Sequence, residues 1–174
     1  MKKALWSLFE SLEFIFVAAI GVYIIRTFIM QPFLVGGSSM EPNFQTGNYL
    51  IVDELTYFFK SPQRGDVIVF RFPNDPREYF IKRIIGLPGE QVKIQGGIVQ
   101  IYKNGVLQHI NENYMKVPTP GNLDVVLKNN QYFVMGDNRN ASYDSRAWGP
   151  LDSKYIVGLV RFRLWPLNEV MAFN

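Results

Sequence analysis

Two adjacent serines, Ser38 and Ser39, follow a pair of glycines in the sequence VGGSSMEP at residues 35–42. A serine hydroxyl becomes a good nucleophile only when a neighbouring base removes its proton, and the usual base is a histidine that a carboxylate orients. The chain contains one histidine, His109, which follows Gln108 at the end of a predicted hairpin strand. That position is typical of an ordinary half-exposed strand residue, so a reactive serine would need a different base.

A lysine can activate a serine if its amine is neutral. With an ordinary pKa near 10.4, only about one lysine in 2,500 is neutral at pH 7, and burial lowers the pKa by several units. Lys82 lies in the apolar segment 79–86, where strand alternation places Phe80, Lys82 and Ile84 on one face. Arg83 then points to the other face, where water can solvate it. Periodicity alone favours an alternative, in which Lys82 and Arg83 form an exposed pair on an edge strand.

The stretch GDNRNASYDSRAWG at residues 136–149 holds four charged side chains and several hydroxyl and amide groups between two glycines. An ordinary surface loop does not need so many groups that can bond one another. Asp137, Asn138 and Asp144 could also bind calcium, although their spacing does not match an EF-hand. We find no other group of metal ligands and no cofactor motif, so we expect neither a metal nor a cofactor.

The N-terminal part of the chain has the composition of a membrane anchor. The apolar run 14–25 resumes after Arg26, and residues 12–30 can cross a hydrocarbon core of about 30 Å as a helix if Arg26 extends to the headgroups. Lys2 and Lys3 precede the run and predict a cytoplasmic N-terminus. A cleavable signal peptide is the alternative, but no small-x-small cleavage site follows the run.

The remaining residues have the pattern of an antiparallel β domain. Segments rich in Val, Ile, Tyr and Phe predict strands at 49–52, 67–72, 79–85, 132–135 and 155–164. Gly96-Gly97 and Asn104-Gly105, each flanked by alternating apolar residues, predict two tight hairpin turns. Residues 122–130 are predicted to form a loop. We therefore expect a mainly β fold with one transmembrane helix, in which residues 1–31 are the cytoplasmic N-terminus and anchor and residues 32–174 are an extracytoplasmic catalytic domain.

The overall composition excludes several classes of protein. Hydrophobic residues make up 48% of the 174 residues and charged residues 19%, which excludes a disordered chain. The net charge of +3 comes from scattered Lys and Arg residues, so nucleic acid is not an expected partner. The absence of cysteine excludes disulfides, thiolate catalysis and cysteine-based zinc sites.

Four motifs in this chain resemble the bacterial type I signal peptidase family, whose members are membrane-bound Ser/Lys endopeptidases. They are VGGSSMEP at 35–42, RGDVIVF at 64–70, FIKRIIGLPGE at 80–90 and GDNRNASYDSRAWG at 136–149. The match runs from the anchor through these motifs in the family's order and covers nearly the whole chain, whereas any one motif alone would be weak. The resemblance therefore favours a buried Lys82 over an exposed edge pair.

The resemblance implies a role for each residue that matches a family motif. Ser39 resembles the nucleophile, and Lys82 resembles its general base. Ser142 resembles the hydroxyl that orients the lysine amine, while Asp144 and Arg146 resemble the ion pair that holds this part of the site together.

The chain departs from the family's pattern around the nucleophile. The backbone N–H of Ser39 is implied as the first oxyanion donor. Some members place a serine hydroxyl where this chain has Gly37, so the second donor stays open, and a backbone amide at Gly36-Gly37 is one candidate. Gly37 and the lack of a large inserted domain resemble the shorter Gram-positive type. Asn43-Phe44 and Asn48 also differ from the common pattern and affect the expected shape of the substrate subsites.

The implied function is removal of signal peptides from exported preproteins at the membrane. The expected substrates carry small residues at the first and third positions before the cut. Two other functions are the alternatives. A self-cleaving Ser/Lys regulator of the repressor type would need a DNA-binding domain, which this chain lacks. A catalytically silent homologue could act as a membrane-tethered scaffold, but both Ser39 and Lys82 are present.

Overall fold

The computed structural model describes residues 11–21, 30–109 and 117–173. Residues 11–21 are helical and form α1. Within these described ranges, no helix has both the length and the apolar character that a membrane crossing requires. The predicted transmembrane segment 12–30 lies partly outside the described residues, as do Lys2 and Lys3.

In the described part of the chain, twelve strands and two further one-turn helices follow α1. The strands are β1 Met30–Leu34, β2 Tyr49–Asp53, β3 Val67–Phe72, β4 Asp75–Gly86, β5 Gln91–Gln95, β6 Ile98–Lys103, β7 Val106–Gln108, β8 Leu123–Val126, β9 Gln131–Met135, β10 Leu151–Asp152, β11 Ile156–Trp165 and β12 Met171–Ala172. The helices are α2 Thr56–Phe59 and α3 Ser145–Trp148, and short 3₁₀ turns lie at Ser153–Tyr155 and Leu167–Glu169. The prediction of a mainly antiparallel β fold is confirmed.

The larger sheet places β4 in its interior. Its strand order is β1-β2-β11-β3-β4-β9-β10, and β12 pairs with β11. Lys82 of β4 is opposite Ile68 of β3, and Arg83 is opposite Met135 of β9. Because β4 has a neighbour on each side, the alternative of an exposed Lys82–Arg83 edge pair is wrong.

The smaller sheet is a four-stranded meander with the order β7-β6-β5-β8. Both predicted hairpin turns are present, since Gly96 and Gly97 connect β5 to β6 and Asn104 and Gly105 connect β6 to β7. All four residues have positive φ, as the primed two-residue turns require. A core of buried aliphatic residues joins this sheet to Phe133 and Met135 of β9.

Two strand assignments differ from the prediction. Leu123–Val126, which we expected to be part of a loop, forms β8 and pairs with β5 over four residues. Met30–Leu34 forms β1, although the sequence pattern placed residues up to 31 in the anchor and predicted no strand here. β1 is an edge strand, where Pro32 is tolerated because one side of the strand needs no hydrogen-bond donor.

Candidate active site

Lys82 is a buried lysine in the larger sheet, since it is only 4% exposed although its side chain is ordinarily charged. Strand alternation directs it to the same side as Phe80, and its Nζ lies 5.3 Å from the centre of the Phe80 ring. Nζ also lies 2.8 Å from Oγ of Ser39 and donates to the carbonyl oxygen of Ile81 at 2.9 Å. The two residues that the sequence singled out are therefore in hydrogen-bond contact.

Burial controls the protonation of Lys82. Removal from water lowers the pKa of its ammonium from the ordinary value of 10.5 to about 8, while the negative charges of Asp144 and Asp137 oppose this shift. With a pKa of about 8, roughly one Lys82 in ten is neutral at pH 7. Lys82 can therefore accept a proton near neutral pH.

The loop after β1 presents Ser39 to this amine. Met40 and Phe44 are completely buried and fix the loop on the core beneath it. Asn138 binds the other side of the loop, since its backbone N–H donates to the carbonyl oxygen of Ser39 at 3.0 Å and its Nδ2 donates to that of Ser38 at 3.1 Å. The motif at 136–149 is thus attached directly to the backbone of the serine pair.

Gly136 begins that motif at a place where no side chain fits. A Cβ at this position would lie 2.3 Å from both Oγ of Ser142 and the carbonyl oxygen of Ser39. The backbone N–H of Gly136 donates to Oδ2 of Asp144 at 3.0 Å. Glycine therefore lets the strand end approach the nucleophile and its neighbours as closely as the site requires.

Asp144 and Arg146 form a buried ion pair in the same motif. Nε of Arg146 lies 2.8 Å from Oδ1 of Asp144, whose side chain is fully buried. Asp144 also caps α3 by accepting from the backbone N–H of Arg146, and Arg146 donates to the carbonyl oxygen of Arg139. This one carboxylate therefore holds the start of α3, the Gly136 peptide and Arg146 together.

A second ion pair corrects the expectation that Arg83 would be solvated. Its guanidinium donates to both carboxylate oxygens of Asp137, at 2.8 and 2.6 Å, and its side chain is only 14% exposed. Asn43 also donates to Asp137, at 2.8 Å. Consecutive side chains of β4 thus make different contacts. Lys82 contacts Ser39, while Arg83 fixes Asp137 in the 136–149 motif that supports the serine.

The remaining predicted site residues, Gly37 and Ser142, lie close to this centre. Oγ of Ser142 is buried and has no hydrogen-bond partner in the described part of the chain. Gly37 has a positive φ, and its N–H donates to the hydroxyl of Thr46 at 3.0 Å, so this amide is already engaged. His109 follows β7 and is exposed. The described residues contain no group of three or more Asp, Glu or His side chains arranged to hold a metal.

A groove of about 450 Å³ opens directly onto Ser39 and Lys82. One wall is the end of β1 with the segment 35–39, and the other is β4 from Tyr79 to Lys82. The rings of Phe33 and Tyr79 meet across it at 5.3 Å. Ala141 and Tyr143 of the 136–149 motif also line the groove. The sequence assigned no role to these two residues or to Gly136, although all three belong to the motif itself. It named Asn138 only as a possible calcium ligand and Asn43 only for the shape of the subsites.

Comparison with known proteins identifies one family. The family model described as "Signal peptidase, peptidase S26" matches residues 8–165. The chain is 39% identical to a probable signal peptidase I-1 of Synechocystis sp., over 92% of this chain and 84% of that protein. It is 32% identical to signal peptidase IB of Staphylococcus aureus, over 97% of this chain and 94% of that protein. A solved signal peptidase I from Enterococcus faecalis V583 is 31% identical, with a TM-score of 0.48 over 57% of this chain and 97% of that one.

The chain belongs to the signal peptidase family, peptidase S26. It is a serine endopeptidase of the signal peptidase I type, and its substrates are exported preproteins.

Proposed function

We propose that the chain removes signal peptides by means of a Ser39–Lys82 dyad. The observation that carries this proposal is the 2.8 Å contact between Nζ of Lys82 and Oγ of Ser39 in a setting that excludes most water from the amine. A buried lysine with a lowered pKa is the state that a lysine base requires.

The reaction follows from the positions of the two side chains. Oγ of Ser39 attacks the scissile carbonyl carbon while neutral Lys82 takes its proton. The tetrahedral intermediate collapses, Lys82 gives that proton to the leaving amine, and the signal peptide stays attached to Ser39 as an ester. Water then attacks the ester, with Lys82 again as base, and Ser39 is regenerated. We assign the N–H of Ser39 as an oxyanion donor.

Ser142, Asp144 and Arg146 support the dyad in this proposal. The hydroxyl of Ser142 is buried without a partner, so it is available to the Lys82 amine whenever the amine turns toward the substrate. Asp144 holds the Gly136 peptide, against which Ser142 packs, and Arg146 neutralises the buried charge of Asp144. Gly37 contributes shape to the groove, since its amide is engaged by Thr46.

The groove suits an extended peptide. A substrate strand can pair with the backbone of β4 on one wall and with that of Gly36 on the other. The backbone groups of Val35 and Gly37 already bond Asn48, Gly47 and Thr46. Side chains of a strand alternate, so the first and third residues before the cut face the same wall. The resemblance to signal peptidases implies that this wall accepts small side chains at both positions, which is the small-x-small pattern.

We also propose that the chain is anchored in a membrane through residues 1–31, with residues 32–174 outside the cytoplasm. In the described part of α1 the apolar side chains are exposed, among them Phe14 at 76%. Phe58 and Phe59 of α2 are exposed as well, and Asp53, which accepts from the α2 backbone, pairs with Met30 at the start of β1. The exposed aromatic side chains of α2 thus lie beside the start of β1, which favours contact with lipid there.

Cleavage of a preprotein by the full-length chain tests the dyad. We expect the parent to release a signal peptide after a small-x-small sequence, and Ser39→Ala and Lys82→Ala each to abolish release, because either change removes the nucleophile or its base. Product masses should be measured together with thermal unfolding of each variant. Ser38→Ala is the matched control and should keep most activity, since Ser38 contacts the motif only through its backbone.

Two results would contradict the proposal. Cleavage by folded Ser39→Ala or Lys82→Ala protein would exclude the dyad. A parent that binds preproteins but never cleaves them would favour the silent, membrane-tethered scaffold.

In the substrate, phenylalanine at the position before the cut should reduce turnover far more than phenylalanine one residue earlier, and equal tolerance would contradict the assignment of the groove wall.

A further inference from the structure

A buried arginine lies behind the catalytic loop and takes no part in the mechanism above. Arg139 is only 1% exposed. Its Nε donates to the carbonyl oxygen of Gly136 at 3.1 Å, and one terminal nitrogen donates to the hydroxyl of Thr119. A guanidinium carries its donors in a rigid, planar fork, so a bond at one end fixes the direction of the bond at the other.

The backbone of Gly136 is the part of the catalytic loop that Arg139 contacts. Its carbonyl is held by Arg139, and its N–H is held by Asp144. Because a Cβ on Gly136 would meet both Ser142 and the carbonyl oxygen of Ser39 at 2.3 Å, the α-carbon already lies against both residues. A small rotation of the backbone at Gly136 therefore moves Ser142 and the carbonyl group of Ser39.

Thr119 belongs to a different part of the molecule from the catalytic loop. Its side chain is fully buried, and its backbone N–H donates at 2.9 Å to the carbonyl oxygen of Gly97 in the β5–β6 turn. Pro118 packs against the same turn, since a Cβ on Gly97 would lie 2.8 Å from Cβ of Pro118. The smaller sheet thus fixes the position of the Thr119 hydroxyl.

We propose that Thr119 is a positioning residue of the catalytic centre: its hydroxyl fixes the guanidinium of Arg139, which fixes the Gly136 peptide against Ser39 and Ser142. The proposal rests on the proposed function, because Ser39 and Lys82 are the groups whose alignment Thr119 maintains. Without the hydroxyl, one buried N–H of Arg139 loses its acceptor, and the guanidinium must turn to find another. The smaller sheet thereby becomes a support for catalysis.

Comparison of Thr119→Val with Thr119→Ser in the full-length chain distinguishes the effect of losing the hydroxyl from the effect of changed packing. We expect Thr119→Val to lower kcat on a preprotein by about tenfold or more with little change in KM, because misplacement of reacting groups affects the chemical step. The acidic limb of the pH–rate profile should also move to higher pH, since a loosened Lys82 is better hydrated. Thr119→Ser keeps the hydroxyl and should restore both quantities nearly to those of the parent.

Ile101→Val is the matched control, because Ile101 is fully buried in the core of the smaller sheet and has no part in the link. It should reduce thermal stability without moving the pH limb. If Thr119→Val does not fold, Arg139→Lys breaks the same link from its other end and should show the same shift.

Three outcomes overturn the proposal. The first is that kcat and the acidic limb of the pH–rate profile are unchanged in folded Thr119→Val, or in Arg139→Lys where Thr119→Val does not fold. The second is an equal loss of kcat in Thr119→Ser, and the third is the same shift of the acidic limb in Ile101→Val. Failure of the dyad itself would instead appear as cleavage by Ser39→Ala, so the two failures are distinguishable.

Discussion

Lys82 has to be neutral to act as a base, so the rate of cleavage reports its protonation. Its pKa is lowered to about 8 by burial, and the neutral form therefore increases through neutral pH. We expect log kcat/KM to rise with a slope of about one from pH 6 and to level off above about pH 8. Initial rates with a preprotein across this range measure it. A profile that is flat between about pH 6 and 9 would exclude a lysine base with a lowered pKa.

Lys82 also carries a cost in stability that depends on pH. The unfolded chain holds the lysine proton up to about pH 10.5, whereas the folded chain releases it near pH 8, so the folded state is penalised by about 3 kcal/mol at pH 7. The penalty is full below pH 8, decreases as pH rises and disappears above about 10.5. We therefore expect Lys82→Met to be inactive but more stable at pH 7.

Denaturant unfolding at pH 7 and pH 10 measures this gain, which should be smaller at pH 10. Lys103→Met is the control, because Lys103 is exposed and its replacement should give no gain that depends on pH. A Lys82→Met variant less stable than the parent at pH 7 would show that the amine is not penalised by burial.

The sequence could identify Lys82 as a candidate but not decide its environment. Alternation along β4 is the same in a central strand and in an edge strand, and only pairing with β3 and β9 makes the difference. The solvation predicted for Arg83 was wrong for a related reason. Its partner Asp137 is 54 residues away in the chain, and no local pattern connects the two.

At the scale of elements, Asp144 ties three parts of the catalytic loop to one carboxylate. Its charge also favours the protonated form of Lys82 and keeps the pKa of Lys82 higher than burial alone would. Asp144→Asn should therefore move the acidic limb of the pH–rate profile to lower pH. It should also destabilise the fold by about 3 kcal/mol or more, because Arg146 loses its buried counter-charge.

Rates and thermal unfolding of this variant test both effects. Asp152→Asn is the matched control, since Asp152 caps the 3₁₀ turn Ser153–Tyr155 in the same way but does not act on Lys82. It should leave the limb in place. A limb that moves to higher pH in Asp144→Asn would contradict the stated electrostatic role.

Element boundaries were predictable where local signals and tertiary pairing agree. The two primed turns of the smaller sheet are an example, because Gly and Asn favour positive φ at those positions. Leu123–Val126 was missed because its neighbours are typical turn residues, and it becomes a strand only through pairing with β5. No strand was predicted at residues 30–34, because the apolar run of the anchor extends to Met30 and Gln31-Pro32 follows it. This segment becomes a strand through pairing with β2.

At the scale of the whole molecule, the proposed topology predicts which part of the chain is accessible from outside the cell. Protease added to intact spheroplasts should degrade residues 32–174, while a tag at the N-terminus stays protected until lysis. Immunodetection of both ends measures this. A catalytic domain that is degraded only after lysis would show that the orientation is reversed.

The dyad joins residues that are 43 positions apart, and its supporting loop lies later still, after β9. A nascent chain that ends before β9 already contains Ser39 and Lys82, but β4 lacks its neighbour on one side, and Gly136, Asn138 and Asp144 have not been made. Lys82 then stays hydrated and protonated, and Ser39 lacks its contact with Asn138. The proposed proteolytic activity therefore requires the motif at 136–149, so a nascent chain that ends before β9 cannot cut other proteins while it is still on the ribosome.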